Sequence, residues 1–199
     1  MRFPLSFEGP LPSSGNDDPL RPKESKLKAV WAIRDYINPQ LKKLFETHHA
    51  LQGRTEESRV LMHALIPRIV VDGHLFFPLA RSSFKLKCGL DITMLVNHDP
   101  ASVVTRSGDL DNRLKTLFDG LRTPASHQEI KRFKDVGAPD ADDYFCLLQD
   151  DGLITSLRIE TLRNLAPSPT AGDDHVKINL MVTIEPAEHL HVNRAFRGD

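Results

Sequence analysis

The residues best placed to do chemistry together are Asp109, Asp111, Asn112, Lys115 and Asp119, followed later in the chain by the pair Asp150 and Asp151. Within 108–121, Leu110, Leu114, Leu117, Phe118 and Leu121 recur at helical spacing and predict one buried stripe. Asp109 follows a glycine, so it can accept the free N–H groups of the first turn, and its charge complements the helix dipole. Residues three and four apart are neighbours on a helix, which puts Asp111 beside Lys115, and Asn112 and Lys115 near Asp119. A capped amphipathic helix with an ordinary surface ion pair has this pattern. So does a site in which Asp109 and Asp111 ligate a hard cation while Lys115 offsets the charge of a substrate phosphate. Mg²⁺ takes one or two carboxylates together with water and phosphate oxygens, so two close aspartates suit it. A further carboxylate is available from Asp150-Asp151, at the end of the apolar run 145–148.

Elements on either side would position these groups. Leu90, Ile92, Met94 and Val96 alternate with Asp91, Thr93 and Asn97, predicting a strand with one buried face that leads toward the helix. Phe145 to Gln149 predicts a short strand. Successive strand side chains point to opposite faces, so Asp150 and Asp151 reach one site only if the strand ends or bulges there. Residues 155–161 and 176–184 each alternate. With only a turn region between them, they are expected to pair antiparallel.

With these residues in view, the chain resembles the RusA family of Holliday junction resolvases. The resemblance rests on Asp109-Leu110-Asp111-Asn112, then Lys115, Asp119 and the later Asp150-Asp151. It extends weakly to residues 2–7 with the Pro-rich turn after them, to the strand 87–96 and to the strand 176–184. It implies a Mg²⁺-dependent active site made by Asp109, Asp111, Lys115 and Asp151, with the three aspartates holding metal and Mn²⁺ as a substitute. Asn112, Asp119 and Asp150 are assigned support. The implied function is resolution of four-way junctions or related branched DNA by phosphodiester hydrolysis in recombination and repair. Symmetric cutting further implies a homodimer. The alternative is an inactive, structure-selective DNA-binding protein on the same scaffold. A weaker third reading is an interaction protein with no nucleic-acid role.

The 199 residues are expected to form one domain, large enough to bury a core without metal or disulfide support. The fold class expected is α+β, with a mixed, largely antiparallel sheet and helices mainly on one face, RusA-like. No apolar run approaches a membrane span and no leader pattern begins the chain, so a cytoplasmic protein is expected. Two cysteines are too few for a zinc site, and free buried thiols are the default, with one disulfide left open. The net charge of −1 argues against a simple nucleic-acid binder. Its distribution is uneven, because residues 21–87 hold 13 basic and 6 acidic side chains while the remainder holds 13 and 21. The first part offers Lys26, Lys28, Arg34, Lys42 and Lys43 on a helix, then Arg81, Lys85 and Lys87 as phosphate contacts.

Local signals complete the reading. Arg2 to Phe7 predicts a strand and 9–22 a loop. Residues 24–37 predict a helix with Trp31 in its core stripe, broken at Asn38-Pro39 and restarted beyond it. A helix is expected at 55–66, and a hairpin around Asp72-Gly73. Residues 123–143 are read as an enlarged loop and 186–199 as a loosely held tail. The histidine pairs His48-His49 and His189/His191 are poor metal candidates.

Overall fold

The computed structural model describes residues 1–12, 22–48, 51, 68–97, 110–134, 143–166, 172, 174–188, 190, 193 and 196. The elements are β1 (Arg2–Pro10), α1 (Pro22–Thr47), β2 (Ile69–Val71), β3 (His74–Ala80), β4 (Leu86–Val96), α2 (Leu110–Leu121), α3 (His127–Lys134), β5 (Asp143–Leu148), β6 (Ile154–Arg163) and β7 (His175–Pro186). They form a single α+β domain with two mixed sheets. One sheet has the order β1-β7-β4-β6 and the other β2-β3-β5. Asp109 and the expected helix at 55–66 lie outside the described residues, as do His49, His189 and His191.

The four-stranded sheet follows from strict alternation. Phe3, Leu5 and Phe7 of β1, the even-numbered residues of β4 from Leu86 to Val96, and the even-numbered residues of β7 from Val176 to Ile184 are all buried. They face Ile33, Ile37 and Leu41 of α1 and Leu114, Leu117 and Leu121 of α2 in one core. The odd-numbered side chains of β4 and β7 form the other face, where a concavity of roughly 530 Å³ opens between Arg2, Asp91, Arg158 and Thr183. Gly120 lets α1 and α2 approach closely, since a Cβ there would lie 2.6 Å from Ile33. A second cluster joins Trp31, Phe76, Ile130, Tyr144 and Cys146 beneath the smaller sheet. Trp31 is therefore a core residue, as its spacing indicates.

Several expectations hold and several change. The hairpin β2–β3 turns at Asp72 and Gly73 with φ of 51° and 81°, which a tight hairpin turn requires. Strand β6, by contrast, does not pair with β7. It runs parallel to β4, while β7 lies between β1 and β4 and is antiparallel to both. Burial decides this: β7 supplies a full row of apolar side chains and takes a central place, whereas β6 carries Arg158, Glu160 and Arg163 and takes the edge.

Helix α1 passes through Asn38-Pro39 without ending. The carbonyl that loses its N–H partner to Pro39 belongs to Asp35, an exposed residue whose backbone water can reach. Asn38 is not a cap here, because its side-chain oxygen accepts from the Phe145 N–H at 2.9 Å. Two residues on, the Gln40 amide accepts from Ser6 N–H and donates to Ser6 C=O, covering part of the outer edge of β1.

The stretch 123–143 contains a helix, α3, and so is more than a loop. In the expected tail, Asn193 and Phe196 are buried. Asn193 donates to the Phe84 and Glu188 carbonyls, and the Met1 amino group donates to Phe196 C=O. Cys88 and Cys146 are both buried free thiols, and burial pushes each up to about 12.

Candidate functional site

Helix α2 organises the region, and its two halves hold different environments. In the first half Asp111 and Lys115 meet as an i,i+4 pair, each with a side chain 60% exposed. Asn112 is half-buried beside them, and its carbonyl accepts from the Thr116 hydroxyl. Arg113, between them in sequence, points to the opposite side of the helix, fully buried, with Nη2 3.4 Å from Asp174. Burial pulls the Arg113 guanidinium below its ordinary range, and Asp174 partly offsets this. Asp174 also accepts the Leu11 N–H through its backbone, and it precedes the start of β7, where Val176 sits opposite Val96. The first turn of α2 is thus fixed near the Val96 end of β4.

The second half is enclosed in charge. Asp119 contacts Lys26 at 3.0 Å and Arg122 at 2.7 Å. Burial works against the charge on Asp119, but hydrogen bonds from Lys26 and Arg122 outweigh it and hold the carboxyl below its usual range. Buried Arg34 donates to Glu129 at 2.7 Å and to the carbonyls of Asp119 and Arg122. Arg34 is therefore an internal strut and leaves the basic surface proposed for α1. Arg81 departs from the expected phosphate contacts in the same way, being buried over the Phe84 ring and lowered by burial to about 10. Lys85 and Lys87 face Glu188 and Glu185.

The segment bearing Asp150 and Asp151 is sewn to this second half. Thr123 donates its N–H to Leu148 C=O and its hydroxyl to Gln149 C=O, and Gln149 N–H reaches Ala80 C=O. Strand β5 ends at Leu148; the Asp150 backbone is still extended, and the chain turns at Asp151. Asp150 caps a 3-10 turn at Asp151–Leu153, with its carboxylate accepting the Gly152 N–H at 2.8 Å. Asp151 is exposed on that turn. Burial lowers the Arg122 guanidinium, but Glu129, Asp119 and, less strongly, Asp151 raise it more. The turn then feeds β6, whose Ile154 lies beside Cys88.

These anchors tie the first turn of α2 to Asp174 and its last turn to the segment that bears Asp150 and Asp151. The rise of an α-helix puts Asp111 and Leu121 about 15 Å apart, and Cys88 and Val96 are about 26 Å apart along β4. Among the described residues no three His, Cys, Asp or Glu side chains form a group able to hold a metal ion. Of the three aspartates expected to hold metal, Asp111 and Asp151 are described and Asp109 lies outside the described residues.

Among the buried basic residues, sequence reasoning passed over Arg113 and assigned Arg34 to the surface. Arg34 and Arg113 both fall among apolar neighbours at helical spacing, a position that signals an internal ion pair. Among the described residues no helix is long and apolar enough to cross a membrane. The chain matches no protein-family model and no curated protein.

Proposed function

We propose that the protein is a Mg²⁺-dependent endodeoxyribonuclease of RusA type that acts on branched DNA, with the four-way junction as its substrate. The observation that supports this reading most is the exposed Asp111–Lys115 pair. It sits on a helix whose opposite stripe is locked into the core, so both side chains start from a rigid base. Lys115 offers an ammonium group to a phosphate, and Asp111 offers a carboxylate one turn away. Such a placement serves phosphate positioning and charge compensation, the main demands of phosphodiester chemistry on a protein.

The test is incubation of the purified protein with labelled four-way junction and linear duplex, with and without Mg²⁺. Junction cleavage that requires Mg²⁺ is the expected result. Asp111→Asn should abolish it while junction binding stays equal or tightens, because one negative charge facing phosphate is removed. Undiminished cleavage by that variant overturns the assignment.

A second reading is a junction-binding protein without turnover on the same scaffold. Calorimetric titration with Mg²⁺ or Mn²⁺ separates the two. A binding module without chemistry takes up no cation at Asp111, and its junction affinity is unchanged by the metal.

A further inference from the structure

The face of the four-stranded sheet turned away from the helices is hollow above Gly89, in the interior strand β4. Glycine weakens a strand, and it belongs there where a bend, a bulge, a close backbone or a ligand requires it. Its φ lies outside the left-handed region. A Cβ at Gly89 would meet the Cβ atoms of Ser156 and Thr183 at 3.7 Å, an ordinary contact, so no neighbour forbids a side chain. The register shift beside it leaves the extra residue on β6, at Thr155, and not on β4. What the glycine provides is room.

The bulge serves the same hollow. Successive strand residues point to opposite faces, yet Thr155 and Ser156 both line it, because the extra residue breaks the alternation there. Thr183 flanks Gly89 from the β7 side.

Around these hydroxyls stand Arg2, Arg158 and Asp91, whose side chains have no hydrogen-bond or ion-pair partner among the described residues. Arg2 lies on β1 and Arg158 on β6, the two edges of the sheet, about 14 Å apart across three strand spacings. Lys87 adds an ammonium at one rim, held 3.5 Å from Glu185. Asp91 lies on the other side of Gly89, beside Met181, where a second hollow of roughly 520 Å³ begins, lined by Pro4, Thr93 and Asn179 among others.

Hydroxyl and guanidinium donors over a glycine floor suit the oxygens of a phosphate monoester. A carboxylate repels phosphate, so Asp91 suits a part of the ligand that donates to it, such as the adjacent hydroxyls of a ribose. We infer that this hollow binds a ribose phosphate, free or as part of a ribonucleotide, with the phosphate over Gly89 and the sugar hydroxyls on Asp91. The site lies across the sheet from the helices and does not depend on the nuclease reading.

Calorimetric titration of the full chain with ribose 5-phosphate, 2-deoxyribose 5-phosphate and AMP tests it. Ribose 5-phosphate should bind with a Kd below about 1 mM. The deoxy sugar should bind roughly tenfold more weakly, since it loses a hydrogen bond to a charged group. AMP binding tighter than ribose 5-phosphate assigns the second hollow to the base, and AMP binding no tighter assigns the site to the free sugar phosphate.

Three variants separate this site from general surface charge. Asp91→Ala should erase the preference for ribose, with the deoxy sugar bound no more weakly than by the wild type, because a negative charge near the phosphate is gone. Arg158→Ala should weaken both sugars roughly tenfold or more. Gly89→Val should abolish binding with Tm near that of the wild type, since valine suits a strand; should it fail to fold, the other two variants decide. No binding of ribose 5-phosphate or AMP at millimolar concentration, a ribose preference that survives Asp91→Ala, or unchanged binding by folded Gly89→Val overturns the site. Displacement of the sugar phosphate by stoichiometric duplex DNA overturns it too, by assigning the hollow to a DNA backbone.

Discussion

The two halves of α2 carry similar polar residues at similar spacing, yet they answer to different demands. Asp111 and Lys115 hold each other in solvent, whereas Asp119 and Arg122 are bound into a mesh with Lys26, Arg34 and Glu129. An acidic residue followed three or four places later by a basic one reads the same in both. What differs is what approaches the helix: α1 and the β5 segment close over the second half, while in the first half the Asp111 and Lys115 side chains stay 60% exposed. A motif along one helix can therefore contain both a candidate reactive pair and the structural fastening beneath it.

The contrast is broken most strongly at Arg34. Arg34→Ala leaves Glu129 without its buried partner and removes donors from the Asp119 and Arg122 carbonyls. Losing one member of a buried pair destabilises by about 3–5 kcal/mol. Thermal unfolding should show a large drop in Tm, and an unchanged Tm would mean that the mesh does not fasten α2. Gly120→Ala acts on the same half by sterics. The added methyl meets Ile33, and overpacking of this kind destabilises by about 1–3 kcal/mol, detectable by urea denaturation.

The fastened half should also respond to acid. The Asp119 carboxyl is held below its unfolded value, so it contributes stability that is present above the unfolded pKa. That contribution is lost as pH falls through the lower folded pKa. Tm measured from neutral pH into the acid range should decline less steeply for Asp119→Asn than for the wild type. Equal slopes would assign acid sensitivity to other carboxylates.

What the sequence disclosed tracks how local the deciding force is. The helix at 110–121 and the turn at Asp72-Gly73 were legible because helical periodicity and positive-φ turn chemistry act within a few residues. The place of β6 was not, because adjacency to β7 suggested a hairpin while burial of the whole sheet settled the order. Its signal was present in Arg158 and Glu160, which mark an edge more than a centre. The buried arginines were legible only in part. Arg34 sits on the Trp31–Ile37 stripe, and its partners Glu129 and Arg122 come from elements distant in sequence. The relation of Asp111 to Asp151 depends on both ends of α2 being anchored, by Asp174 at one end and by Leu148 and Gln149 at the other.

The smallest effect on stability belongs to the open half, and there the comparison is sharpest. Lys115→Ala removes an exposed i,i+4 pair, and such pairs contribute about 0.3–0.5 kcal/mol to a helix. Alanine's higher helix propensity offsets part of that loss. Tm should therefore shift by no more than a degree or two, far less than for Arg34→Ala. On the proposed nuclease reading, junction cleavage should nevertheless fall steeply, because the ammonium assigned to the substrate phosphate is gone. A Lys115→Ala protein with both its Tm and its cleavage rate intact would make the pair ordinary surface charge, and would leave the two halves of α2 differing in burial alone.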